Sequence, residues 1–365
     1  MDETLAKQGS KVGSNKLKIG DLARHLGLSK GTVSRALSGY PDISEKTKER
    51  VIRAANELGY KPSSYARALS TGLARSAALV LSVSGDSVQK AYLPDILDGL
   101  STRLGADGWT LTVATASPEE DDLAVQERLI AERKVDGFII TRTRRHDPRI
   151  TALLEAEVPF VMYGRQEDMS GKPSFDYLGE TAMEQAVIRL ARLGHRRIGY
   201  IGARDGFYMQ ERRTEGYVAG LADAGLPLDM DMVRAGGMTE AEGAALAADL
   251  LAQTEPPTAI VCAMDVAALG AYRAVEALGL RVGHEVSLMA YDGIAEGAYA
   301  RPGLTTYAVD GRAAGQALAD LLLRRIAGEA PDRLQETGEA RLIARGSDRA
   351  PALTSAELAV RIAGR

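Results

Sequence analysis

The run of residues 17–37 limits what this chain can fold into more than any other stretch of the sequence. Gly27 ends a first predicted helix, and Ser29 stands at the N-cap position of a second. Apolar residues recur in both at the three- and four-residue spacing of one helix face: Ile19, Leu22, Ala23 and Leu26, then Val33, Ala36 and Leu37. The pattern therefore predicts two short amphipathic helices joined by a tight turn, which is a helix-turn-helix.

The outward-facing side chains of the second predicted helix are small, polar or basic. They are Lys30, Gly31, Thr32, Ser34 and Arg35. Hydroxyl, ammonium and guanidinium donors are the groups that bind DNA phosphates and guanine edges in a major groove. Two core-packing helices of a larger domain would show the same apolar spacing, so DNA binding is indicated only together with the residues that follow.

A third helix is predicted over residues 43–60, with Ser44 as its N-cap. Its expected inward-facing residues are Val51, Ala54, Ala55 and Leu58. Three helices complete a small headpiece over residues 17–60. The segment 61–72 that follows is too short to form a stable helix alone in water.

Four motifs along this region match one known family in order and spacing. They are Thr32–Arg35, Ser44–Val51, Leu58–Pro62 and Ala66–Leu69. In these motifs the chain resembles transcriptional regulators of the lactose repressor/galactose repressor (LacI/GalR) family. The resemblance implies a regulator that binds double-stranded, palindromic operator DNA.

The resemblance also implies roles for residues of the headpiece. The residues at phosphate-facing positions would be Ser29, Thr32, Ser34 and Thr47. Lys30, Gly31 and Arg35 would occupy base-facing positions. Gly31 departs from the larger polar residue often found there, and it has no side chain to contact a base. Specificity is therefore expected to depend more on Lys30 and Arg35.

A hinge is implied for the linker over residues 61–74. Residues 63–71, which include Ala66, would become helical only on DNA. Leu69 would then insert into a central minor-groove step and kink it.

Charge divides the chain at the same place without reference to any family. Residues 1–75 hold 14 lysines and arginines against 7 aspartates and glutamates, a net of +7, and residues 76–365 sum to −11. Because DNA is a polyanion, the basic end is predicted to be the nucleic-acid end. A solubilising tail would have the same charge, but this basic segment coincides with the helix-turn-helix.

Length and composition indicate a multidomain cytoplasmic protein. Beyond the headpiece about 300 residues remain to bury a sizeable core. The expected flexible tail over residues 1–16 is polar and has no signal-peptide pattern, and no apolar run reaches transmembrane length. The single cysteine, Cys262, cannot form an internal disulfide and is expected to be a buried small hydrophobe.

From residue 76 onward, short apolar runs alternate with helical patterns, as in parallel sheets built from βαβ units. Strands are predicted at 77–83, 109–114, 137–140 and 159–162, then at 197–201, 232–234, 259–262 and 287–291. Two such lobes would form a clamshell that binds a small ligand at the strand carboxyl ends. The predicted fold class is α/β: an all-α helix-turn-helix headpiece and a two-lobed, periplasmic-binding-protein-like clamshell with parallel sheets.

The family resemblance continues to residue 348. Its landmarks are Leu193–Gly202, Arg213–Tyr217, Leu269–Ala274, Val286–Asp292 and Pro302–Thr306. It implies chain crossings between the lobes near 163–175, 306–310 and 336–340. The effector-binding domain would span 75–348, with lobe 1 at about 75–165 and 310–338 and lobe 2 at about 175–306 and 339–348.

Two residues are the main candidates for holding an effector. Arg213 matches the arginine that binds the ligand in relatives, and its five fixed donors suit ring hydroxyls or a carboxylate. Asp292 ends a predicted strand and matches an acceptor for sugar hydroxyls. A surface salt bridge for Arg213 and a turn cap for Asp292 are the alternatives.

The chain departs from the family pattern at two places in the expected pocket. Where many relatives have Asn-Asp, this chain has Met264 and Asp265. Where many relatives have Asp-Asn, this chain has the segment Phe175–Gly179, in which the carboxylate belongs to Asp176. No single relative's ligand can therefore be transferred. The further candidates in lobe 1 are Ser84, Thr141 and Arg142, which turn or surface structure would explain equally well.

Enzyme functions find little support. His195 has no nucleophile motif such as Gly-x-Ser-x-Gly near it, and no Walker or Gly-x-Gly-x-x-Gly motif occurs. No catalytic residue, metal or cofactor is therefore expected. A periplasmic sugar-binding protein is the main competitor from another class, but it would have no reason to carry residues 17–72. A sugar-binding module without active DNA recognition also remains open.

The function expected from these observations is regulation of carbohydrate uptake or catabolism genes by a repressor that a sugar releases. A co-repressor that is not a sugar is the alternative. The carboxyl-terminal tail over 349–365 has one short helical pattern, which is too brief for a tetramerising coiled coil. A homodimer is expected, because a twofold pair of headpieces reads a palindrome.

Overall fold

The computed structural model describes residues 17–60, 72–82, 87–117 and 120–364, with the side chains of 87–92 outside this description. Contacts divide the chain into two compact units, Met1–Arg75 and Ser76–Arg365. In the part of the chain that is described, no helix is long and apolar enough to cross a membrane.

The described residues of the first unit form three helices, as the sequence predicts. They are α1 (Ile19–Leu26), α2 (Lys30–Leu37) and α3 (Glu45–Glu57). Gly27 ends α1 in the left-handed conformation at φ 64°, which costs glycine nothing sterically. The side chains of Ser29 and Ser44 cap α2 and α3 by accepting backbone hydrogen bonds.

The apolar faces of the three helices meet in one small core. Its buried members are Leu22, Ala23, Leu26, Val33, Ala36, Val51, Ala54, Ala55 and Tyr60. The prediction that Leu58 faces inward is wrong, because α3 ends at Glu57 and Leu58, as the C-cap residue, is 38% exposed.

The second unit alternates strands and helices over its whole length. Its first part contains β1 (Ser76–Ser82), α4 (Ser87–Ala106), β2 (Thr110–Ala116), α5 (Asp122–Ala131), β3 (Gly137–Ile140), α6 (Pro148–Glu155), β4 (Phe160–Tyr163) and β5 (Ser174–Asp176). Its middle part contains α7 (Gly179–Arg192), β6 (Ile198–Ile201), α8 (Tyr208–Asp223), β7 (Val233–Arg234), α9 (Glu240–Leu251), β8 (Ala259–Cys262), α10 (Asp265–Ala277), β9 (Ser287–Asp292) and β10 (Thr305–Ala308). Its last part contains α11 (Gly311–Ile326), β11 (Gln335–Thr337), β12 (Arg341–Ile343) and α12 (Ser355–Ala363).

These strands form two six-stranded sheets, one in each lobe. The order is β11-β5-β4-β3-β1-β2 in lobe 1 and β12-β10-β9-β8-β6-β7 in lobe 2. All pairs are parallel except β10 with β12, which are antiparallel. The two-lobed α/β fold with parallel sheets is therefore confirmed.

Alternate residues of each strand enter different cores, so both faces of each sheet are covered. In lobe 1, Ala77 and Leu79 pack under α4 and α11, whereas Ala78 and Val80 pack under α5 and α6. In lobe 2, α7 and α8 cover one face and α9 and α10 cover the other. Cys262 is fully buried in the second of these cores, as expected.

The chain passes three times between the sheets. The second passage lies between β10 and α11 and the third between β11 and β12. The expectation that the first passage lies near 163–175 is wrong: Ser174–Asp176 pairs with β4 and β11 in lobe 1, so the passage follows residue 176. Strands of three residues, such as β5, β11 and β12, are too short to leave an alternating pattern in the sequence.

The carboxyl-terminal segment packs against lobe 2. His195 is buried, with Nε2 2.8 Å from the carbonyl oxygen of Arg349 and Nδ1 2.8 Å from Thr258 Oγ1. Burial lowers the pKa of His195, so the neutral ring donates to the Arg349 carbonyl and accepts from the hydroxyl. Leu358 of α12 is fully buried in the lobe 2 core. His195 thus has a structural role.

Candidate functional site

The amino-terminal ends of α2 and α3 present paired hydroxyls. Ser29 Oγ accepts a hydrogen bond from the Thr32 amide at 3.0 Å and lies 2.9 Å from Thr32 Oγ1. Ser44 and Thr47 repeat this arrangement, with 2.9 Å between their hydroxyl oxygens. Helix amino termini carry partial positive charge, so these hydroxyls lie where a phosphate is favoured.

The candidate base-reading residues lie on the exposed surface of α2. Lys30, Gly31 and Arg35 are all exposed. Arg35 Nη1 donates to Asp42 Oδ2 at 2.7 Å, and about half of each side chain is exposed (51% and 49%). An exposed ion pair of this kind contributes at most about 1 kcal/mol, so Asp42 can hold Arg35 without preventing it from moving to another acceptor.

Three candidate residues lie outside the described residues. They are Ala66 and Leu69 of the expected hinge and Ser84 after β1.

A cavity lies between the two lobes of the second unit, at the carboxyl ends of the parallel strands. Its lobe 1 wall includes Arg142, Thr143, Tyr163, Arg165 and Asp176. Its lobe 2 wall includes Glu180, Tyr208, Arg212, Arg213, Met264 and Asp292. The cavity therefore has the position that parallel α/β sheets favour for a small-molecule site.

Arg213 is the most completely buried charged group of the wall, with 7% of the residue exposed. Its Nη1 donates to the carbonyl oxygen of Ala263 at 2.7 Å, and its Nη2 lies 3.8 Å from Asp292 Oδ1. The guanidinium carbon lies 4.1 Å from the centroid of the Tyr291 ring. Among the described residues, Nε of Arg213 has no hydrogen-bond partner although it is buried. A buried donor without an acceptor is costly, and an oxygen atom placed beside this group would remove that cost.

Space for the Arg213 side chain comes from a glycine on the facing helix. A Cβ added to Gly179, the first residue of α7, would lie 2.9 Å from Arg213 Nε. Any side chain at this position would therefore clash with Arg213 Nε.

Asp292 lies at the carboxyl end of β9 and faces Arg213 in the cavity. Burial raises its pKa to about 6, and the positive charge of Arg213 opposes this shift. A guanidinium donor and a carboxylate acceptor on one wall can together bind neighbouring hydroxyls of a ring.

Asp265 does not line the cavity, although the sequence predicts an effector contact for it. It is fully buried behind Asp292 and accepts hydrogen bonds from the amides of Gly293 and Ile294 and from the hydroxyl of Thr306. Burial, and then the nearby charge of Asp292, raise the pKa of Asp265 to about 7. Its contact with an effector stays a prediction, because the carboxylate binds the chain that follows β9 and is not part of the cavity wall.

Charged residues join the two lobes at the cavity wall. Arg165 of lobe 1 donates from Nε to Asp176 Oδ2 at 2.6 Å and also pairs with Glu180 of lobe 2. Glu180 in turn accepts from Arg212 Nη2 at 3.2 Å. Buried atoms without a hydrogen-bond partner in the described part of the chain include Glu180 Oε2 and Arg212 Nε.

A second set of contacts between the lobes surrounds the start of α8. The Tyr208 amide donates to the Thr143 carbonyl at 2.9 Å, and Arg142 lies over the ring of Phe207 at 4.3 Å. Arg145 Nε donates to Glu211 Oε2 at 3.0 Å. Closure of the lobes around the cavity is therefore held partly by a half-buried ion pair.

The loop that makes these contacts is supported from behind by Arg149. Its Nη2 donates to the carbonyls of Thr141 at 3.1 Å and Arg142 at 3.3 Å, and it pairs with Asp147 at 2.6 Å. Arg142 has a left-handed backbone at φ 55°. The turn that this conformation makes brings Arg142 and Thr143 to the wall and leaves Thr141 buried and outside it.

The sequence-based candidates that the cavity brings together are Arg142, Asp176, Arg213, Met264 and Asp292. The wall residues that sequence reasoning missed include Tyr163, Arg165, Glu180, Tyr208 and Arg212. Arg212 and Tyr208 could have been found as neighbours of Arg213 on the first turns of α8. Arg165 and Glu180 follow β4 and β5, but nothing in the local sequence indicates that they meet.

The cavity combines fixed hydrogen-bonding groups with aromatic rings. Tyr163, Tyr208 and Tyr291 supply the rings, and the arginines and carboxylates supply donors and acceptors. Apolar ring faces beside a few placed polar groups suit a small polyhydroxylated ligand. Within the described ranges, no group of His, Cys, Asp and Glu could hold a metal ion.

Two family models match the chain and together cover most of it. Residues 78–345 match periplasmic binding proteins and the sugar-binding domain of the LacI family. Residues 18–63 match the bacterial regulatory proteins of the lacI family.

Individual relatives agree with these models over nearly full length. The chain is 35% identical to the HTH-type transcriptional regulator AglR of Rhizobium meliloti (strain 1021), over 92% of this chain and 96% of that protein. It is similar to the structure of the transcriptional regulator CelR in complex with cellobiose, with a TM-score of 0.69, 30% identity and coverage of 91% and 99%. It is also similar to the Lac repressor dimer bound to operator and the anti-inducer ONPF, with a TM-score of 0.77, 25% identity and coverage of 92% and 100%.

Proposed function

Because the chain belongs to the LacI family of bacterial regulatory proteins, we propose that it represses carbohydrate uptake or catabolism genes and that a sugar weakens its binding to operator DNA. The relatives that it matches are named transcriptional regulators. The headpiece binds the operator, and the cavity between the lobes binds the sugar.

The observation that carries the sugar site is the buried Arg213. One face of its guanidinium lies on the Tyr291 ring, one amino group lies near Asp292, and its Nε has no hydrogen-bond partner among the described residues. A ring hydroxyl that accepts from Nε and donates to Asp292 would satisfy both groups. The neighbouring tyrosine rings would pack on the C–H faces of a pyranose.

For the headpiece, the proposed contacts are those that family resemblance implies. Lys30 and Arg35 would read base edges, and the hydroxyls that open α2 and α3 would bind phosphates. Leu69 and Ala66 would act in the hinge on DNA. The exposure of Lys30 and Arg35 on α2 supports this arrangement.

Two copies of the chain would bind one palindromic operator. The Lac repressor, to which the chain is similar, was solved as a dimer bound to operator. The expected assembly is a homodimer.

Control of DNA binding would follow from linkage between the two sites. The sugar contacts both lobes, so it favours one arrangement of the lobes over another. If the favoured arrangement does not suit the paired hinges on DNA, sugar and operator weaken each other's binding by the same factor. The ion pairs of Arg145 with Glu211 and of Arg165 with Glu180 would set how easily the lobes move.

Fluorescence anisotropy with a labelled duplex tests this function. The duplex is taken from the region upstream of this protein's own gene and compared with a scrambled duplex of equal length. We expect specific binding without sugar and at least about tenfold weaker binding with one of sucrose, melibiose or cellobiose.

Three other results of this experiment would each contradict a part of the proposal. Equal binding to both duplexes would contradict sequence-specific regulation from this site. Tighter operator binding with a sugar would make the sugar a co-repressor. Operator binding that stays unchanged with all three sugars would contradict control by these sugars. Each sugar is used at a concentration that changes the operator binding of a known sugar-responsive relative.

A further inference from the structure

Asp265 is a buried carboxylate that the proposed ligand contacts leave unused. It is the first residue of α10 and is completely inaccessible to solvent. Its Oδ2 accepts from the Gly293 amide at 2.8 Å and from the Ile294 amide at 2.9 Å. Its Oδ1 accepts from Thr306 Oγ1 at 2.6 Å. One side chain thus joins the start of α10, the chain after β9 and the middle of β10.

The residue just before those two amides has an unusual backbone. Asp292 lies at φ 121°, in a region that residues with a Cβ rarely occupy. Gly293 follows at φ 81°, and a Cβ added to it would lie 2.2 Å from the Cβ of Ala308. The turn after β9 therefore packs tightly against Ala308, the last residue of β10. Its backbone conformation depends on the contacts that hold it in this position.

The strained turn determines where the Asp292 carboxylate points. Asp292 pairs with Ala308 in the sheet, and its carbonyl oxygen accepts from the Val309 amide at 3.2 Å. With the backbone at φ 121°, the side chain faces the cavity and lies 3.8 Å from Arg213. A strained conformation persists only when surrounding contacts hold it. The contacts on the following side are the two hydrogen bonds to Asp265.

We propose that Asp265 is a positioning residue for the effector site: it holds the amides of Gly293 and Ile294 so that Asp292 keeps the strained backbone that aims its carboxylate at the ligand beside Arg213. The proposal rests on the proposed function only in taking Asp292 as a ligand contact. Asp265 itself does not touch the ligand.

The hydrogen-bonding pattern provides a matched pair of variants. In Asp265→Asn, the amide oxygen can accept from both backbone amides and the NH₂ group can donate to Thr306 Oγ1, so all three bonds can be kept. In Asp265→Ala, all three are lost and the two buried amides have no acceptor. The pair separates the hydrogen bonds of Asp265 from its charge.

Crystal structures of the full-length parent, Asp265→Ala and Asp265→Asn give a test that needs no ligand. We expect Asp292 in Asp265→Ala to relax to negative φ and its carboxylate to move away from Arg213. In Asp265→Asn both features should stay as in the parent. An unchanged Asp292 in Asp265→Ala would overturn the proposal.

Calorimetry with sucrose, melibiose and cellobiose then relates position to binding. For any of these sugars that the parent binds, Asp265→Ala should bind at least about tenfold more weakly and Asp265→Asn should bind within about threefold of the parent. Equal losses in both variants would show that the charge of Asp265 matters rather than its hydrogen bonds, and would overturn the proposal. If the parent binds none of the sugars, the proposed function fails for these ligands, while the crystal structures still decide the role of Asp265.

A third variant covers the case in which Asp265→Ala does not fold, as judged by circular dichroism. Thr306→Val removes only the hydroxyl bonded to Oδ1 and keeps the volume of the side chain. We expect an intermediate shift of the Asp292 carboxylate and about threefold weaker sugar binding. A Thr306→Val protein identical to the parent in both measurements would then overturn the proposal.

Discussion

The candidate DNA-binding surface and the cavity between the lobes differ in how their polar groups are held. On the headpiece, Ser29 with Thr32 and Arg35 with Asp42 are three and seven residues apart, and they are largely exposed to solvent. In the cavity, Arg213 bonds a carbonyl fifty residues away and is buried. Headpiece side chains are therefore free to exchange water for DNA, whereas cavity side chains are ordered before a ligand arrives.

This difference predicts different costs for changing each site. An exposed pair contributes little to folding, so its loss should be visible only in DNA binding. Removing one member of a buried set leaves the others without partners and should affect both ligand binding and stability. The four variants below test this contrast from the largest expected effect to the smallest.

Arg213→Ala should have the largest effect. It removes the hydrogen-bond donor of the buried Ala263 carbonyl and the positive charge that lies 3.8 Å from the Asp292 carboxylate, which should lower the free energy of unfolding by about 3–5 kcal/mol. We expect the response of operator binding to sugar to be abolished while operator binding without sugar persists, as measured by fluorescence anisotropy. Arg192→Ala, which removes an exposed arginine of the same lobe, is the matched control and should respond as the parent does.

If Arg213→Ala and Asp292→Ala both responded at the parent's sugar concentration, the ligand site would lie elsewhere. If both lost operator binding without sugar, these residues would serve the structure of the lobe, and the contrast between the two sites would be smaller than we infer.

Arg35→Ala should weaken operator binding by about 1–3 kcal/mol per half-site and flatten the base preference at one position, because a guanidinium can bind guanine in a bidentate manner. Anisotropy with single-base operator variants measures both effects. The free energy of unfolding, measured by thermal denaturation, should change by less than about 1 kcal/mol, because the ion pair of Arg35 with Asp42 is exposed.

Arg24→Ala is the control for the lost charge, since Arg24 is an exposed arginine of α1. It should weaken binding to operator and scrambled DNA alike. The same uniform loss in Arg35→Ala would identify Arg35 as a phosphate contact rather than a base contact.

Gly179→Ala should weaken sugar binding by about 1–2 kcal/mol, because a Cβ 2.9 Å from Arg213 Nε forces the guanidinium to shift. Calorimetry with the sugar that the parent binds measures the loss. Gly105→Ala is the matched control: no described atom lies within 4 Å of the added Cβ in α4, so sugar affinity should not change. Unchanged affinity in Gly179→Ala would mean that Arg213 has more freedom than its burial implies.

Arg145→Ala should have the smallest effect, at most about 1 kcal/mol, because its pairs with Glu211 and Glu167 are partly exposed and screened by salt. We expect small-angle X-ray scattering to show a more open second unit and the difference from the parent to shrink at high salt. Arg128→Ala breaks an ion pair with Glu120 inside lobe 1 and should leave the scattering unchanged. Equal opening in both variants would show that these contacts between the lobes do not control closure.

The sequence by itself determined the headpiece almost residue by residue. Its helices, the caps at Ser29 and Ser44 and the glycine turn depend on contacts within a few residues, and such contacts leave a periodic pattern. The same holds for the buried strands that alternate with helices, and for the placement of Asp292 at a strand end beside the cavity. The carboxyl ends of parallel strands meet at one edge of a sheet whatever path the loops take. This placement could therefore be predicted without knowing the loop structures.

Only the tertiary structure decided what those strand ends meet. Glu180 pairs with Arg165 across the cavity, and Asp265 lies outside the cavity wall and accepts hydrogen bonds from the chain after Asp292. It also decided that β5 belongs to lobe 1, because a three-residue strand is defined by its neighbours rather than by its own pattern. Contacts of this kind join residues that are far apart in the chain, within one lobe or across the cavity, and the spacing of residues along the chain carries no record of that geometry.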